Sequence, residues 1–215
     1  MNPQKEANLA LPAESNNNLI MGRIIKEDPW ATPGGVKQIL LHACCAPCSG
    51  AIVEAMKARR LEPVIFYCNP NIYPREEYEK RRDECRRFAR EMEIGMVESP
   101  YDHDEWLNSV AGLENEPERG RRCQRCFAMR LKMTAHYAAE HGYSLIATTL
   151  ASSRWKSLEQ IAEAGKEAQE TTGGKVIFWD RNWRKGGLQE RRNEIIRERG
   201  FYNQLYCGCE FSKRQ

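Results

Sequence analysis

The stretch "VKQILLHACCAPCSGAIVEAMKARR", Val36–Arg60, decides how the rest of the chain is read. Val36 to His42 is apolar and free of breakers, which predicts a strand. From Ser49 to Arg60, apolar residues recur at Ile52, Val53 and Met56, which predicts a helix. The corner between the two holds Cys44, Cys45 and Cys48. Three thiols so placed cannot all bury on one face of a strand or a helix. The corner therefore asks what chemistry needs them.

Outward from that corner the pattern repeats. "PVIFYCN" from Pro63 is a second strand, apolar throughout, as expected when both sheet faces are covered. "PREEYEKRRDECRRFAREME" is a helix opened by Pro74. "GMVESP" is a short third strand, and "DHDEWLNSVAGL" a short helix capped by Asp102. A loop, "ENEPERGRRCQRC", enters a helix from about Cys123 to His141, stopped by Gly142. "YSLIATTL" is a fourth strand, "SRWKSLEQIAEAGKEAQETT" a helix, "KVIFW" a fifth strand and "LQERRNEIIRERG" a helix ended by Gly200. The alternation predicts an α/β fold: an open, mostly parallel five-stranded sheet with helices on both faces. Ligands of such sheets bind outside the carboxyl ends of the strands. "HACCAPCSG", "TTLASSRWK" and "DRNWRKGG" all leave strands at that edge. Residues 1–35 are polar, with an Asn run and then "DPWATPGG", and read as a flexible N-terminal extension to one domain over 36–215.

With 215 residues, 41% hydrophobic and 29% charged, the composition is that of a globular protein. No apolar run is long enough to span a bilayer, and the first residues lack the pattern of a secretory signal, so the expected location is the cytoplasm. The net charge of +3 does not announce a nucleic-acid binder. Basic clusters do occur in "EKRRDECRRFAR", "ERGRRCQRC", "RNWRKGG" and "ERRNEIIRERG"; the first and last read as solvated helix faces.

Nine cysteines is a high count for a reducing compartment, where clustered thiols point to metal or redox chemistry rather than a disulfide framework. Cys68 and Cys85 stand alone and read as ordinary small side chains. Four thiolates hold a cubane iron–sulfur cluster, and the natural four are Cys44, Cys45, Cys123 and Cys126. Arg119, Arg121, Arg122 and Arg125 flank the second pair and would offset negative charge or face phosphates. Structural zinc is the rival, although adjacent Cys44 and Cys45 fit a zinc knuckle poorly. Cys207-Gly-Cys209 can close a small, strained and easily reduced disulfide, or supply metal ligands. His42 reads as a core residue or a ligand, and Asp102 as a helix cap or a ligand.

Taken in order, "LLHACCAPCS", "NPNIYPREEYEKR", "RCQRCFAMRLKMTA", "TTLASSRWK" and "YCGC" resemble the cobalamin-independent epoxyqueuosine reductases, the QueH family, over roughly residues 37–211. The resemblance implies a sheet similar to the nucleotide α-hydrolase type, with the cysteine corner in place of its phosphate loop. It implies a [4Fe–4S] cluster on Cys44, Cys45, Cys123 and Cys126, and a redox-active pair, Cys207 and Cys209. It also implies an additional iron ion, for which Cys48 and Asp102 are the candidate ligands. The implied reaction removes the epoxide oxygen of epoxyqueuosine in the anticodon loop of tRNA, fed by an unidentified electron donor.

Reading an RNA loop requires a splayed base, an aromatic surface and basic contacts to phosphates. Tyr73, Trp106, Trp155 and Trp183 are the aromatic candidates, and Lys156, Arg184 and Lys185 the basic ones. A zinc-stabilised tRNA- or protein-binding module without turnover is the alternative function. An ATP-using sulfur-transfer enzyme is disfavoured, because the first loop carries thiols where a Ser-Gly-Gly phosphate signature would stand.

Overall fold

A computed structural model describes residues 28–213; the expected extension over 1–35 falls largely on residues 1–27, which lie outside the described residues. Five strands alternate with helices: β1 (Gln38–His42), α1 (Ala46–Lys57), β2 (Glu62–Tyr67), α2 (Arg75–Glu91), β3 (Met96–Glu98), α3 (His103–Ser109), α4 (Arg121–Glu140), β4 (Leu145–Thr148), α5 (Leu158–Thr171), β5 (Ile177–Phe178) and α6 (Leu188–Glu198). The strands form one sheet in the order β3-β2-β1-β4-β5, and every pairing is parallel. The α/β class and the open parallel sheet are as the sequence predicts.

The central strand explains the apolar run. Ile39, Leu40 and Leu41 are fully buried, and burying each such side chain is worth about 1.5–3 kcal/mol. On one flank, Gly165 of α5 lies so close to β5 that a Cβ there would stand 2.1 Å from the Phe178 ring, so glycine sets the helix–sheet distance.

The chain order reverses direction across the sheet between β1 and β4, which makes their carboxyl ends the switch point where a crevice opens. His42 pairs with Thr148 in register, so the cysteine corner and the turn after β4 leave the sheet side by side.

Several boundaries shift, and each shift has a local cause. Helix α1 begins at Ala46, not Ser49, because Pro47 sits in its first turn, where a missing N–H costs nothing. Cys48 is thereby on the helix and Cys45 is its N-cap residue. After β4 the chain makes a tight turn over Thr149–Ser152, and α5 starts at Leu158. Its cap is Ser157, whose hydroxyl accepts from the Gln160 N–H at 3.3 Å. The segment "SRWK" thus belongs to a partly exposed turn, not to the helix. The basic runs of α2 and α6 are solvated faces: Arg86 pairs with Asp83 and Glu98, and Arg191 with Glu54, Glu194 and Glu198. Among the described residues, no helix is long and apolar enough to cross a membrane.

Candidate functional site: a thiol pocket at the switch point

The corner that opened the reading is a compact thiol cluster. The sulfurs of Cys44, Cys45 and Cys48 all lie within 4.8 Å of one another and all three residues are buried; among the described residues no other such group of His, Cys, Asp or Glu ligand atoms occurs. Cys44 and Cys45 Sγ are 3.8 Å apart. The extended backbone of Cys45 at the helix cap and the position of Cys48 in the first helical turn turn the three side chains inward together. Thr149, alongside through the β1–β4 register, accepts from the Cys44 N–H at 3.3 Å and lies 3.6 Å from its sulfur. From the C-terminal segment, Gln204 donates its amide N–H to Cys45 Sγ at 3.0 Å.

The electrostatics divide the three. Cys44 is held well below the ordinary thiol range, because its sulfur accepts from Cys45 and Cys48, with Lys156 and Arg130 adding positive charge. Burial pushes Cys45 well up, and the Cys44 thiolate beside it raises Cys48 to about 11. One thiolate is thus stabilised by two thiols, at a helix start that also favours negative charge.

Cys44 and Cys48 open into a cavity of about 510 Å³, lined also by Trp155, Lys156, Gln204 and Cys207 among others. The C-terminal segment forms its far wall. Arg81, buried and paired with Glu77 at 2.7 Å, donates to the carbonyls of Cys207 and Tyr206 at 3.0 and 3.3 Å. Gly208 adopts φ +139°, and a Cβ there would meet Ile72 at 2.9 Å, so the residue between the two cysteines is glycine for close docking as well as for bending. Cys207 is half-buried at the cavity, whereas Cys209 is buried against Trp106, Val110 and Cys126, and burial pushes its thiol up to about 12.

Cys123 and Cys126 stand in the first two turns of α4. Cys123 is half-buried and its sulfur accepts from the Arg119 N–H at 3.4 Å; Cys126 is buried, and burial raises both thiols. A chain of polar contacts ties this pair to the corner. Arg130 reaches Cys126 Sγ at 4.0 Å and the Cys68 carbonyl at 3.1 Å, and also donates to the Asn69 amide oxygen. Asn69 in turn donates to the Ala43 carbonyl at 2.9 Å. Arg130, Gln204 and Thr149 were not singled out by sequence reading. A usable signal existed for the first, since Arg130 lies four residues after Cys126 and so on the same helix face.

Other residues take different places. Asp102 is exposed and caps α3, its carboxylate accepting from the Glu105 N–H at 2.8 Å; it does not join the thiol group. His42 is a core residue: its Nε2 donates to the Cys68 carbonyl at 3.1 Å, leaving Nδ1 to accept from the Thr148 hydroxyl at 2.7 Å, and burial lowers it to about 3. Trp106 and Trp183 are buried, the latter donating to the Thr148 carbonyl at 2.9 Å, so neither presents a ring to a base. Trp155 is 60% exposed at the cavity rim and Tyr73 is 45% exposed. Arg122 is buried on the carbonyls of Leu113, Glu114 and Glu116, Arg121 pairs with Glu116, and Arg125 is exposed. Lys156 and Arg184 line a crevice next to the thiol cavity, whereas the neighbouring Lys185 is exposed outside it. Cys68 and Cys85 are buried away from the group, the former with its S–H on Met133 Sδ at 3.6 Å.

The buried, mutually close thiols are soft donors suited to iron–sulfur clusters or zinc, and poorly suited to hard cations. A family model described as epoxyqueuosine reductase QueH matches residues 39–215. The chain is 45% identical over 198 residues to the epoxyqueuosine reductase QueH of Haemophilus influenzae, covering 88% of this chain and 80% of that protein. It is 44% identical over 182 residues to that of Histophilus somni, covering 85% and 74%, and 36% identical over 177 residues to that of Thermotoga maritima, covering 81% and 89%. With the thiol corner, the CxxC helix and the CGC segment all inside the matched span, the chain belongs to the QueH epoxyqueuosine reductase family.

Proposed function

We propose that this protein removes the epoxide oxygen of epoxyqueuosine at the wobble position of tRNA, leaving the cyclopentene diol and water. The observation that carries the reading is the placement of Cys207 across one cavity from the thiolate of Cys44, in a chain of this family. The conversion consumes two electrons and two protons. Cys207 and Cys209 as a dithiol hold two of each, released when the sulfurs join as a disulfide, and an external donor restores the dithiol.

The thiol set fits an iron–sulfur cluster, which Cys44, Cys45, Cys123 and Cys126 would hold and which would supply electrons one at a time. Cys48, packed against Cys44 and Cys45, is the better supported candidate for an additional iron, and Asp102 the weaker one, being engaged as a cap. The residues around the thiols have separable tasks. Lys156 carries its charge at the cavity: burial would lower its pKa, but Cys207, Cys44 and Cys48 outweigh that and raise it. Trp155 offers the exposed aromatic face on which a splayed base would stack. Arg184 and Lys185 would meet the RNA backbone.

Anaerobic purification followed by iron and sulfide analysis, and mass spectrometry of tRNA nucleosides after incubation with a chemical reductant, tests the reading. Brown protein with near-stoichiometric sulfide that converts epoxyqueuosine to queuosine is expected. Colourless zinc protein that binds tRNA without converting it would replace this reading with that of a zinc-stabilised binding module.

A further inference from the structure

Next to the thiol cavity lies a second crevice of about 500 Å³, lined by Arg119, Arg154, Lys156 and Arg184 together with Ser157 and Gln160, and by Leu158 and Glu159. Arg154 and Lys156 line both spaces, so the two are continuous at those residues. Many of the other surface arginines are neutralised. Arg75, Arg82, Arg86, Arg87, Arg121, Arg191 and Arg199 each sit within 4.0 Å of a carboxylate. Among the described residues, Arg119, Arg154, Lys156 and Arg184 have no such partner, although Glu159 shares the lining.

The protein's own bonds bring these cations together rather than apart. Arg119 donates to the carbonyls of Trp155 and Arg154, both at 3.0 Å, and the left-handed backbone of Arg119 turns the segment before α4 toward that turn. Arg184 donates to the carbonyls of Ser153 and Lys156 at 2.5 and 2.7 Å, drawing the β5–α6 loop onto the same turn. Crowding registers on Arg184, whose pKa falls through burial and then through the charge of Arg119. Like charges held together at this density cost free energy unless an anion joins them. Arg154 also lies over the Trp155 ring at 5.1 Å, so the exposed aromatic surface and the cations share one edge.

We propose that the crevice of Arg119, Arg154, Lys156 and Arg184 seats a backbone phosphate of the RNA strand, adjacent to the nucleotide whose base enters the thiol cavity. The proposal rests on the reading of the protein as a tRNA-modifying reductase and adds to it where the strand is gripped. Guanidinium groups suit phosphate oxygens by geometry as well as charge. Continuity of the two spaces through Arg154 and Lys156 makes the phosphate site a neighbour of the reacting base rather than a remote patch. Arg119 and Arg184 hold the turn that carries Arg154 and Lys156, so the site is built into the fold.

The test uses Arg154→Ala and Arg154→Glu in full-length, anaerobically prepared enzyme, because the Arg154 side chain is exposed and its loss leaves the stitched carbonyls intact. Lys132→Ala, which removes a surface cation paired to Glu167 and lining neither space, is the control. Binding of tRNA bearing epoxyqueuosine is measured from 50 to 300 mM KCl, with single-turnover conversion and iron content alongside. For Arg154→Ala, affinity is expected to fall roughly 5- to 10-fold near physiological salt, with a salt slope lower by about one. KM should rise while iron content and the saturated single-turnover rate hold. Arg154→Glu should weaken binding further, and Lys132→Ala should match wild type. An active wild type with unchanged affinity and slope in both Arg154 variants overturns the phosphate seat and leaves the reductase reading intact. A wild type that converts no epoxyqueuosine defeats the reductase reading instead. A crevice that binds a mononucleotide tightly, with no competition from tRNA, also overturns the proposal.

Discussion

Arg130 and Cys126 stand one turn apart on α4, with a guanidinium nitrogen 4.0 Å from the sulfur, and Arg130 has no carboxylate within 4.0 Å among the described residues. A fully buried guanidinium without a counter-charge is costly, so the negative charge must come from the thiols it faces. Arg130→Met should therefore lose much of the bound metal and raise the apparent pKa of Cys44, measured by thiolate absorbance in the metal-free protein. Arg130→Lys should retain more metal than Arg130→Met, because the charge persists without the fork. Equal metal content in both variants and wild type would show that the charge is balanced elsewhere.

On the proposed reading, the cysteines divide into those that would hold a cluster and those that pack. Cys44→Ala, Cys45→Ala, Cys123→Ala and Cys126→Ala should each lower iron and abolish epoxide reduction. Cys68→Ala and Cys85→Ala should keep both, at a stability cost of about 1 kcal/mol or more from the small cavities left. Full iron retention in any two of the first four would remove that set from the cluster.

Much of the fold is legible in the sequence because the elements are strongly patterned. The apolar β1 run and the alternation of strands with helices decide the parallel sheet, and Cys44-Cys45 and Cys123-x-x-Cys126 mark two places where thiols cluster. The rest depends on contacts between distant segments. Trp106 and Trp183 resemble Trp155 in sequence, yet packing buries the first two and leaves the third at the rim. Gln204 meets Cys45 only because Arg81 docks the C-terminal segment, and no local pattern encodes that meeting. The expected helix from Ser49 leaves Cys48 outside it, whereas Pro47 in the first turn starts the helix early enough to include Cys48.

Turnover should be visible at Cys207 and Cys209. In pre-reduced enzyme given substrate but no further reductant, alkylation of both should fall as they join. The double Ser variant should keep its iron and fold but stop after at most one turnover. Unchanged alkylation before and after substrate would move the pair to the role of ligands or tail packing. Gly208→Ala, which drives a Cβ into Ile72, Arg81 and Asn71, should impair the same cycle by displacing the segment while leaving iron in place.

A pH effect on stability is expected at Cys85, which lies outside the thiol group. Burial holds its thiol well above the usual value of 9.0. Above that value the unfolded chain loses the proton and the native protein keeps it, so this group removes stability as pH rises past 9.0 and leaves it untouched below. Urea unfolding of the metal-free protein should show Cys85→Ala losing less stability than wild type on going from pH 8 to pH 10, by about 1.4 kcal/mol per unit above 9. Parallel curves would mean that Cys85 ionises freely in the native state.

The hydrogen bond from Gln204 to Cys45 joins residues 159 positions apart. On the ribosome, the cysteine corner is therefore made long before the amide that covers it, and for that interval its thiols have a doorway but no door. Loading of metal during synthesis and loading after it would meet two different sites: one open to delivery and to oxygen alike, the other reached only through the cavity beside Cys44 and Cys48.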